Sequence, residues 1–189
     1  MVIPDNSSTE TMNNASENQQ LQNNYNHLLN LLNNEWVLWG HLPHNADWSI
    51  ASYIKIATFK YLEEAISVTE RLPSALIENC MLFLMKKGIN PTWEDPRNRG
   101  GGVFSYKVMS KFVNKCWKDL TYVIVGDTVS KDKGFVENVT GITISPKKSF
   151  CIIKIWMTDC SKQNPALVTS DLKGLNNYGC LFKKHTPEF

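Results

Sequence analysis

Short strand-like runs that alternate with two amphipathic helical segments constrain the fold of this 189-residue chain most strongly. Residues 48–56, "WSIASYIKI", place Trp48, Ile50, Ser52, Ile54 and Ile56 on one face by alternation, and a mostly apolar face of this kind is typical of a half-buried strand. Residues 57–72 and 110–126 instead repeat apolar residues every three to four positions, and Pro73 and Gly126 end these segments. Because strands outnumber helices and the helices recur between strand pairs, we predict an α+β domain. Its curved, mostly antiparallel sheet has helices on one face.

Apolar runs bounded by polar or turn residues extend this pattern along the chain. The second helix should bury Val113, either Cys116 or Trp117, Leu120 and Ile124. Residues 165–175 have the composition of a third helix. Further strands are predicted at 35–42, 80–86, 104–109, 140–145, 150–156 and 178–184, with a turn over 146–149 that joins two of them.

The first 26 residues differ in composition from the rest. They are rich in Asn, Ser, Thr, Gln and Glu and have almost no apolar periodicity. Such a segment buries too little surface to offset its ordering entropy, so we predict a disordered tail over 1–26 and a folded domain over 27–189.

Charge and cysteine usage exclude several classes of function. The net charge is only +2, which predicts no strong field toward duplex nucleic acid or an anionic membrane. The five cysteines form no C-x-x-C pair and the four histidines complete no metal-ligand spacing, so we expect no metal, no cofactor and reduced thiols. No apolar run is long enough to cross a bilayer and no signal-peptide core opens the chain. We expect a cytoplasmic monomer that does not contact membranes.

Two loop tryptophans are the strongest candidates for a binding site. Trp48 follows a polar loop, and Trp93 precedes Glu94 in "GINPTWEDPRNRGGG", residues 88–102. Loop aromatics on a rigid scaffold are more often functional than those inside apolar patterns, such as Trp36, Trp39 and Trp117. Two facing indoles would form a slot for a flat ring, with stacking worth about 1–3 kcal/mol per base. A cationic ring adds about 0.5–2 kcal/mol, and Glu94 would accept two N–H bonds from a guanine edge. The spacing alone does not require this ligand.

Four segments in this order resemble the eukaryotic translation initiation factor 4E family, which binds the messenger-RNA cap. The segments are "EWVLWGHLPHNADW", "KKGINPTWEDPRNRGGG", "KCWKDLTYVIVGD" and "IIKIWMTDC". The resemblance covers about residues 31–160. It implies a sheet of about eight strands backed by three helices on its convex face, with the cap in the concave face. Residues 27–189 would then be a cap-binding domain.

The resemblance also implies roles for individual residues. Trp48 and Trp93 match the indoles that sandwich 7-methylguanine. Glu94 matches the carboxylate that binds the guanine N1 and N2 hydrogens, and Trp156 matches the tryptophan that touches the N7-methyl group. Lys147 stands where the family has an arginine for the triphosphate.

The expected phosphate site departs from the family pattern. Ile152 stands at the position of a phosphate-binding lysine, and Val103 at that of an arginine. Lys154 lies two residues from Ile152 and therefore shares its strand face. The alternative for every such charge is an exposed, solubilising side chain. Weaker phosphate candidates are Lys154, Arg99 and Lys148, with Lys183 and Lys184 also considered.

The helical face departs as well. In the family, a tryptophan of the first helix binds a helical Tyr-x-x-x-x-Leu-apolar peptide of the scaffold factor 4G or of repressor proteins. Here that position is Ile66, with Leu62 one turn earlier. A leucine pair is replaced by Lys118 and Tyr122, and the acidic neighbour is kept as Asp119. This face is predicted to bind a helical peptide. Alternatively, its apolar pair packs under the N-terminal segment.

The resemblance predicts cap binding in translation initiation. An alternative is a cap-binding translational repressor that does not engage the usual scaffold. An enzyme that uses Glu94 and Asp95 for acid–base chemistry is a third hypothesis, but adjacent side chains tend to point apart and no Gly-Lys phosphate motif accompanies them. We therefore expect no enzyme. A fold that has lost its ligand is a fourth hypothesis, which the intact set of tryptophans and Glu94 disfavours.

Overall fold

The computed structural model describes residues 29–169 and 172–185. The segment 1–26, predicted to be a disordered tail, lies outside the described residues, and its prediction stays untested. The described residues from Leu32 onward form one compact unit.

The described chain forms one seven-stranded sheet with the order β2-β1-β3-β5-β6-β4-β7. The neighbours from β1 to β7 pair antiparallel, which confirms the predicted α+β fold with a curved antiparallel sheet. The described strands number seven instead of about eight. They are β1 Leu31–His41, β2 Ile54–Tyr61, β3 Met81–Lys86, β4 Gly102–Met109, β5 Val139–Pro146, β6 Phe150–Met157 and β7 Leu181–Lys184.

Three helices pack against one face of the sheet and against each other: α1 Leu62–Arg71, α2 Ser74–Asn79 and a longer helix described next. The longer helix is α4 Ser110–Val125. Two short helices, α3 Pro96–Arg99 and α5 Lys133–Asn138, lie in the connections that precede β4 and β5. As predicted, α4 buries one stripe of side chains in the main core. The stripe is Val113, Cys116, Trp117, Leu120 and Ile124.

Two predicted boundaries around β2 are wrong. The strand predicted over 48–56 begins only at Ile54, after a 3-10 turn at Ile50–Ser52, and the helix predicted over 57–72 begins only at Leu62. The carboxylate of Glu64 sets this start, since it accepts the Tyr61 backbone N–H at 3.0 Å. The strand therefore runs directly into the helix with no Gly or Pro between them.

The helix predicted over 165–175 is also wrong. The described part of that range holds only a 3-10 turn at Pro165–Leu167. Gly174 has a φ of +97°, which an L-residue rarely adopts and an α-helix excludes. Val168 and Leu172 still reach the main core, so their apolar spacing reports burial without a helix. The third helix on the sheet face is instead α2, which the sequence did not predict.

Candidate cap-binding site

A second apolar cluster lies on the sheet face opposite the helices. Leu82 and Leu84 of β3 belong to the main core, while the alternating Phe83 and Met85 belong to this second cluster. The strand register extends the cluster across the sheet, because Gly141 pairs with both Met85 and Trp156. Its buried members are Phe83, Met85, Ile89, Val103 and Trp156, and the side chains packed against them are Trp39, Tyr53, Met81 and Trp93.

The loop that carries Trp93 is fixed by buried polar side chains. Asp95 accepts the backbone N–H groups of Asn90 at 2.8 Å and of Arg97 at 3.0 Å, and so caps α3. Asp95 therefore holds the loop in place. Glu94, in contrast, is exposed.

Asn98 is fully buried under the same loop. Its amide donates to the carbonyl oxygens of Asn90 at 3.1 Å and Thr92 at 2.8 Å. Its Oδ1 accepts the hydroxyl of Thr140 in β5 at 2.8 Å. Asn98 thus ties the loop on both sides of Trp93 to the sheet. Asn98 was not among the predicted site residues, because nothing in the local sequence indicates a partner 42 residues away.

The glycine run that ends this loop allows a close approach to the sheet. A Cβ on Gly101 would lie 1.8 Å from the Met157 carbonyl oxygen. A Cβ on Gly102 would lie 2.6 Å from the Lys183 carbonyl oxygen. The loop therefore packs directly on the backbones of β6 and β7, which places the Trp93 segment beside the ends of both strands.

Trp156 is held rigidly in the floor of the site. It is 7% exposed, and its indole Nε1–H donates to the Thr143 hydroxyl at 2.6 Å. The ring of His185 lies beside it, with 4.9 Å between ring centroids. His185 Nδ1 contacts the Asn98 carbonyl oxygen at 2.8 Å. His185 was also missed by the sequence analysis, since only the pairing of β7 with β4 brings it here.

A cleft of about 320 Å³ opens over this floor. It brings together three of the predicted site residues, Trp93, Trp156 and Lys154. The remaining lining residues come from β4 and from the chain around the end of β7, namely Val103, Lys183, Lys184 and His185.

Trp48 lies outside that lining, in the loop between β1 and β2. Its indole stacks on the imidazole of His41, with ring centroids 4.2 Å apart and an interplanar angle of 2°. Trp48 is 52% exposed, so the other face of its indole is open to solvent.

Several cations share the cleft. Burial lowers the pKa of Lys154, and the neighbouring charges of Lys147 and Lys183 lower it further. Burial also lowers the pKa of His185, which the hydrogen bond to Asn98 only partly opposes. The surroundings of His185 therefore favour its neutral form. Among the described residues, no ion pair involves Lys147, Lys154 or Lys183.

The other predicted phosphate ligands lie outside the lining of this cleft. Arg99 is exposed at the end of α3, while Lys147 and Lys148 are exposed in the turn between β5 and β6. The Lys147 backbone N–H donates to the Phe150 carbonyl oxygen at 2.8 Å, which closes that turn.

The predicted partner surface lies on α1 and α4. Ile66 is 42% exposed, while Leu62 packs partly against the main core. Lys118 pairs with Glu70 at 2.6 Å, and the Tyr122 hydroxyl donates to the same carboxylate. The two residues that replace the family's leucine pair are therefore joined across the helices by one acid. The predicted acidic neighbour, Asp119, pairs with Lys115 at 2.9 Å.

The described ranges contain no cluster of three His, Cys, Asp or Glu side chains arranged to hold a metal ion. Over the same ranges, no helix is long and apolar enough to cross a membrane.

The sequence is similar to known translation factors. Initiation factor 4E-2 of Schizosaccharomyces pombe is 30% identical over 142 residues, which cover 70% of this chain and 56% of that protein. Initiation factor NCBP of Triticum aestivum is 30% identical over 118 residues, which cover 60% and 49% of the two chains. The chain thus matches about half the length of these curated relatives.

The fold is similar to solved structures. The Schistosome eIF4E complexed with m7GpppG and 4E-BP superposes with a TM-score of 0.64 at 23% identity, over 71% of this chain and 75% of that one. A family model described as eukaryotic initiation factor 4E matches residues 31–185. The match spans both the cleft and the helices behind it, and the chain therefore belongs to the eukaryotic initiation factor 4E family.

Proposed function

We propose that residues 27–189 form a cap-binding domain that holds the 7-methylguanosine cap of messenger RNA and acts in cytoplasmic translation initiation. The observation that carries this proposal is the cleft in which Trp93 and Trp156 face a cluster of lysines that no carboxylate of the described chain neutralises. The solved Schistosome relative, whose fold this chain shares, is bound to the cap analogue m7GpppG.

The aromatic residues bind the methylated base. Trp93 stacks on one face of the purine, and the buried Trp156 contacts the methyl group at the base of the cleft. Trp48 covers the second face with the open side of its indole. A cationic 7-methylguanine gains cation–π attraction from each indole, which neutral guanine lacks.

The polar residues set orientation and charge. Glu94 is exposed beside Trp93, and its carboxylate accepts the guanine N1 and N2 hydrogens. Lys154 and Lys183 bind the phosphate chain, and Lys147 extends this cluster. The three neighbouring ammonium groups repel one another. A bound phosphate offsets this repulsion, because its negative charge stabilises their charged form.

Binding, and not catalysis, is the chemistry that we propose for the acidic pair. Asp95 is 7% exposed and both of its oxygens accept backbone N–H groups of its own loop. It is therefore committed to holding the loop, whereas Glu94 faces solvent. The two carboxylates do not converge on one reacting atom, as general acid–base chemistry would require.

A titration with 7-methyl-GTP and with GTP tests the proposal. We expect the methylated nucleotide to bind at least about tenfold more tightly, because each indole contributes roughly 0.5–2 kcal/mol to a cationic ring. Quenching of tryptophan fluorescence or isothermal calorimetry measures both affinities. Equal affinities for the two nucleotides would refute a cap site.

A translational repressor that does not engage the usual scaffold is the second candidate function. The observation in its favour is the cluster of Lys118, Tyr122 and Glu70, which places a bridged, charged group where the family has a leucine pair. A helical peptide would have to break these contacts before an apolar side chain could pack there.

If the chain is such a repressor, a scaffold-derived Tyr-x-x-x-x-Leu-apolar peptide should bind the wild-type chain weakly. The triple variant Ile66→Trp, Lys118→Leu and Tyr122→Leu should bind it at least about tenfold more tightly, since two apolar contacts of about 1 kcal/mol or more are restored. Fluorescence anisotropy of a labelled peptide measures both. Lys111→Leu, which removes an exposed charge from the first turn of the same helix, is the control. Tight binding to the wild-type chain would favour the initiation factor over the repressor.

A further inference from the structure

We propose that His41 is a positioning residue for the cap site, whose ring backs Trp48 and holds its indole ready to stack on a base. This inference rests on the proposed cap-binding function, and it assigns a role to a residue that the sequence analysis did not select.

The stack between the two rings covers one side of Trp48 only. The planes are parallel within 2° and the centroids are 4.2 Å apart. His41 is 2% exposed, whereas Trp48 is 52% exposed. The indole is therefore supported on its inner face by a buried ring, and its outer face is free to take a ligand.

His41 is itself fixed on two further sides. Its Nε2 lies 2.8 Å from the Asp47 carbonyl oxygen. A carbonyl oxygen only accepts hydrogen bonds, so Nε2 carries the hydrogen and donates it. The ring of Tyr53 meets the imidazole edge-on at 5.1 Å, and Tyr53 in turn meets Phe83 at 5.2 Å. Phe83 belongs to the second apolar cluster, against which Trp93 packs. A chain of ring contacts thus connects Trp48 to the floor of the site.

The backbone on both sides of Trp48 is also restrained. Asp47 offers its carbonyl oxygen to His41, while its carboxylate accepts the Ser49 backbone N–H at 2.8 Å and the Ser49 hydroxyl at 3.0 Å. An exposed indole in such a loop would otherwise sample several rotamers. A side chain that is ordered before the ligand arrives loses less conformational entropy on binding, and this raises affinity without any new contact with the ligand.

A merely structural role for His41 makes a different prediction. If His41 only fills space, its replacement lowers stability and affects the site through loss of the fold, with no special dependence on Trp48. If it backs Trp48, its effect on affinity disappears once the indole is gone, because two residues that act as one unit are not additive.

The test compares His41→Leu, which fills the space without a flat ring, with His41→Phe, which restores one. Both are also combined with Trp48→Ala. We expect His41→Leu to bind 7-methyl-GTP about 3- to 10-fold more weakly than wild type, in keeping with the value of an aromatic pair. His41→Phe should recover most of that loss. In the Trp48→Ala background, His41→Leu should change affinity by less than about twofold.

The control is His44→Asn, a change in the same loop at an exposed residue whose φ of +66° suits asparagine. Thermal unfolding midpoints identify any variant that has lost its fold. The inference is overturned if His41→Leu binds like wild type, if His41→Phe is as weak as His41→Leu, or if the loss persists without Trp48. A wild-type chain that does not distinguish 7-methyl-GTP from GTP overturns the proposed function as well, whereas a discriminating chain with an unaffected His41→Leu overturns this inference alone.

Discussion

Replacing Trp93 with alanine is expected to weaken the binding of 7-methyl-GTP by about 1–3 kcal/mol, or roughly 5- to 150-fold. The change removes the tryptophan that lines the cleft from the loop between β3 and α3. Asp95 and Asn98 hold the backbone of the loop on either side of Trp93. Because the loop backbone is restrained, we expect no other aromatic ring to replace the lost indole. Calorimetry is the appropriate measurement, because Trp93 itself contributes to fluorescence quenching.

Two companion variants make this result interpretable. Trp93→Phe keeps a flat ring and should lose less affinity than Trp93→Ala. Tyr178→Ala removes an aromatic side chain that is 98% exposed in the 3-10 turn Asn177–Gly179. This change should leave the affinity for 7-methyl-GTP unchanged. Trp93 also packs against the second apolar cluster, so the unfolding midpoint of each variant is needed. A folded Trp93→Ala variant with wild-type affinity would exclude Trp93 from the site.

Those parts of the fold that local periodicity encodes were predictable. The stripe of α4 follows from apolar spacing, because a buried face repeats at the period of its element. The paired strands β5 and β6 follow from two apolar runs that are joined by a turn. The start of α1 was not predictable in this way, because β2 runs into the helix without a Gly or Pro between them. Only the Glu64 carboxylate, which accepts the Tyr61 backbone N–H, marks the change from strand to helix. Likewise, Val168 and Leu172 are spaced as on a helix, yet they reach the core from an irregular chain.

Residue types predicted part of the candidate site. The residues whose roles depend on contacts between distant parts of the chain were not predicted. The sequence selected Trp93, Trp156 and Lys154, and the structure brings these together in one cleft. It did not select Asn98 or His41, whose functions depend on partners that are distant along the chain or stacked across a loop. Asparagine and histidine occur in many places in folded proteins, most of them exposed, so the residue type carries little information until its burial and its neighbours are known.

The sheet register suggests how the chain replaces its missing phosphate ligands. Val103 stands where the resemblance puts an arginine, and Lys183 of β7 lies directly opposite Val103 in the pairing of β4 with β7. Directly opposed residues in an antiparallel pair have neighbouring side chains on the same face. The charge of Lys183 thus occupies the neighbourhood of the lost arginine. On β6, Lys154 shares the face of Ile152 and lies two residues closer to Trp156 along the strand.

The double variant Lys154→Ala and Lys183→Ala is therefore expected to bind 7-methyl-GTP about 10- to 100-fold more weakly. Each charged hydrogen bond is worth roughly 1.5–3 kcal/mol when protected, and less for an exposed lysine such as Lys183. The affinity for 7-methylguanosine, which has no phosphates, should change by less than about twofold, and the remaining 7-methyl-GTP binding should depend less steeply on salt. Calorimetry at two salt concentrations measures all three quantities.

The matched control for this variant is Lys131→Ala with Lys133→Ala, which removes the same charge from the segment around α5, away from the cleft lining. A general effect of net charge would weaken 7-methyl-GTP binding in both double variants, whereas a local phosphate site weakens it only in the first. Equal losses for 7-methylguanosine and 7-methyl-GTP in the first variant would mean that the two lysines shape the base-binding cleft instead of binding phosphate. The phosphates would then follow another path, toward Lys147 and Lys148 in the turn between β5 and β6, of which the resemblance places Lys147 at a phosphate-binding position.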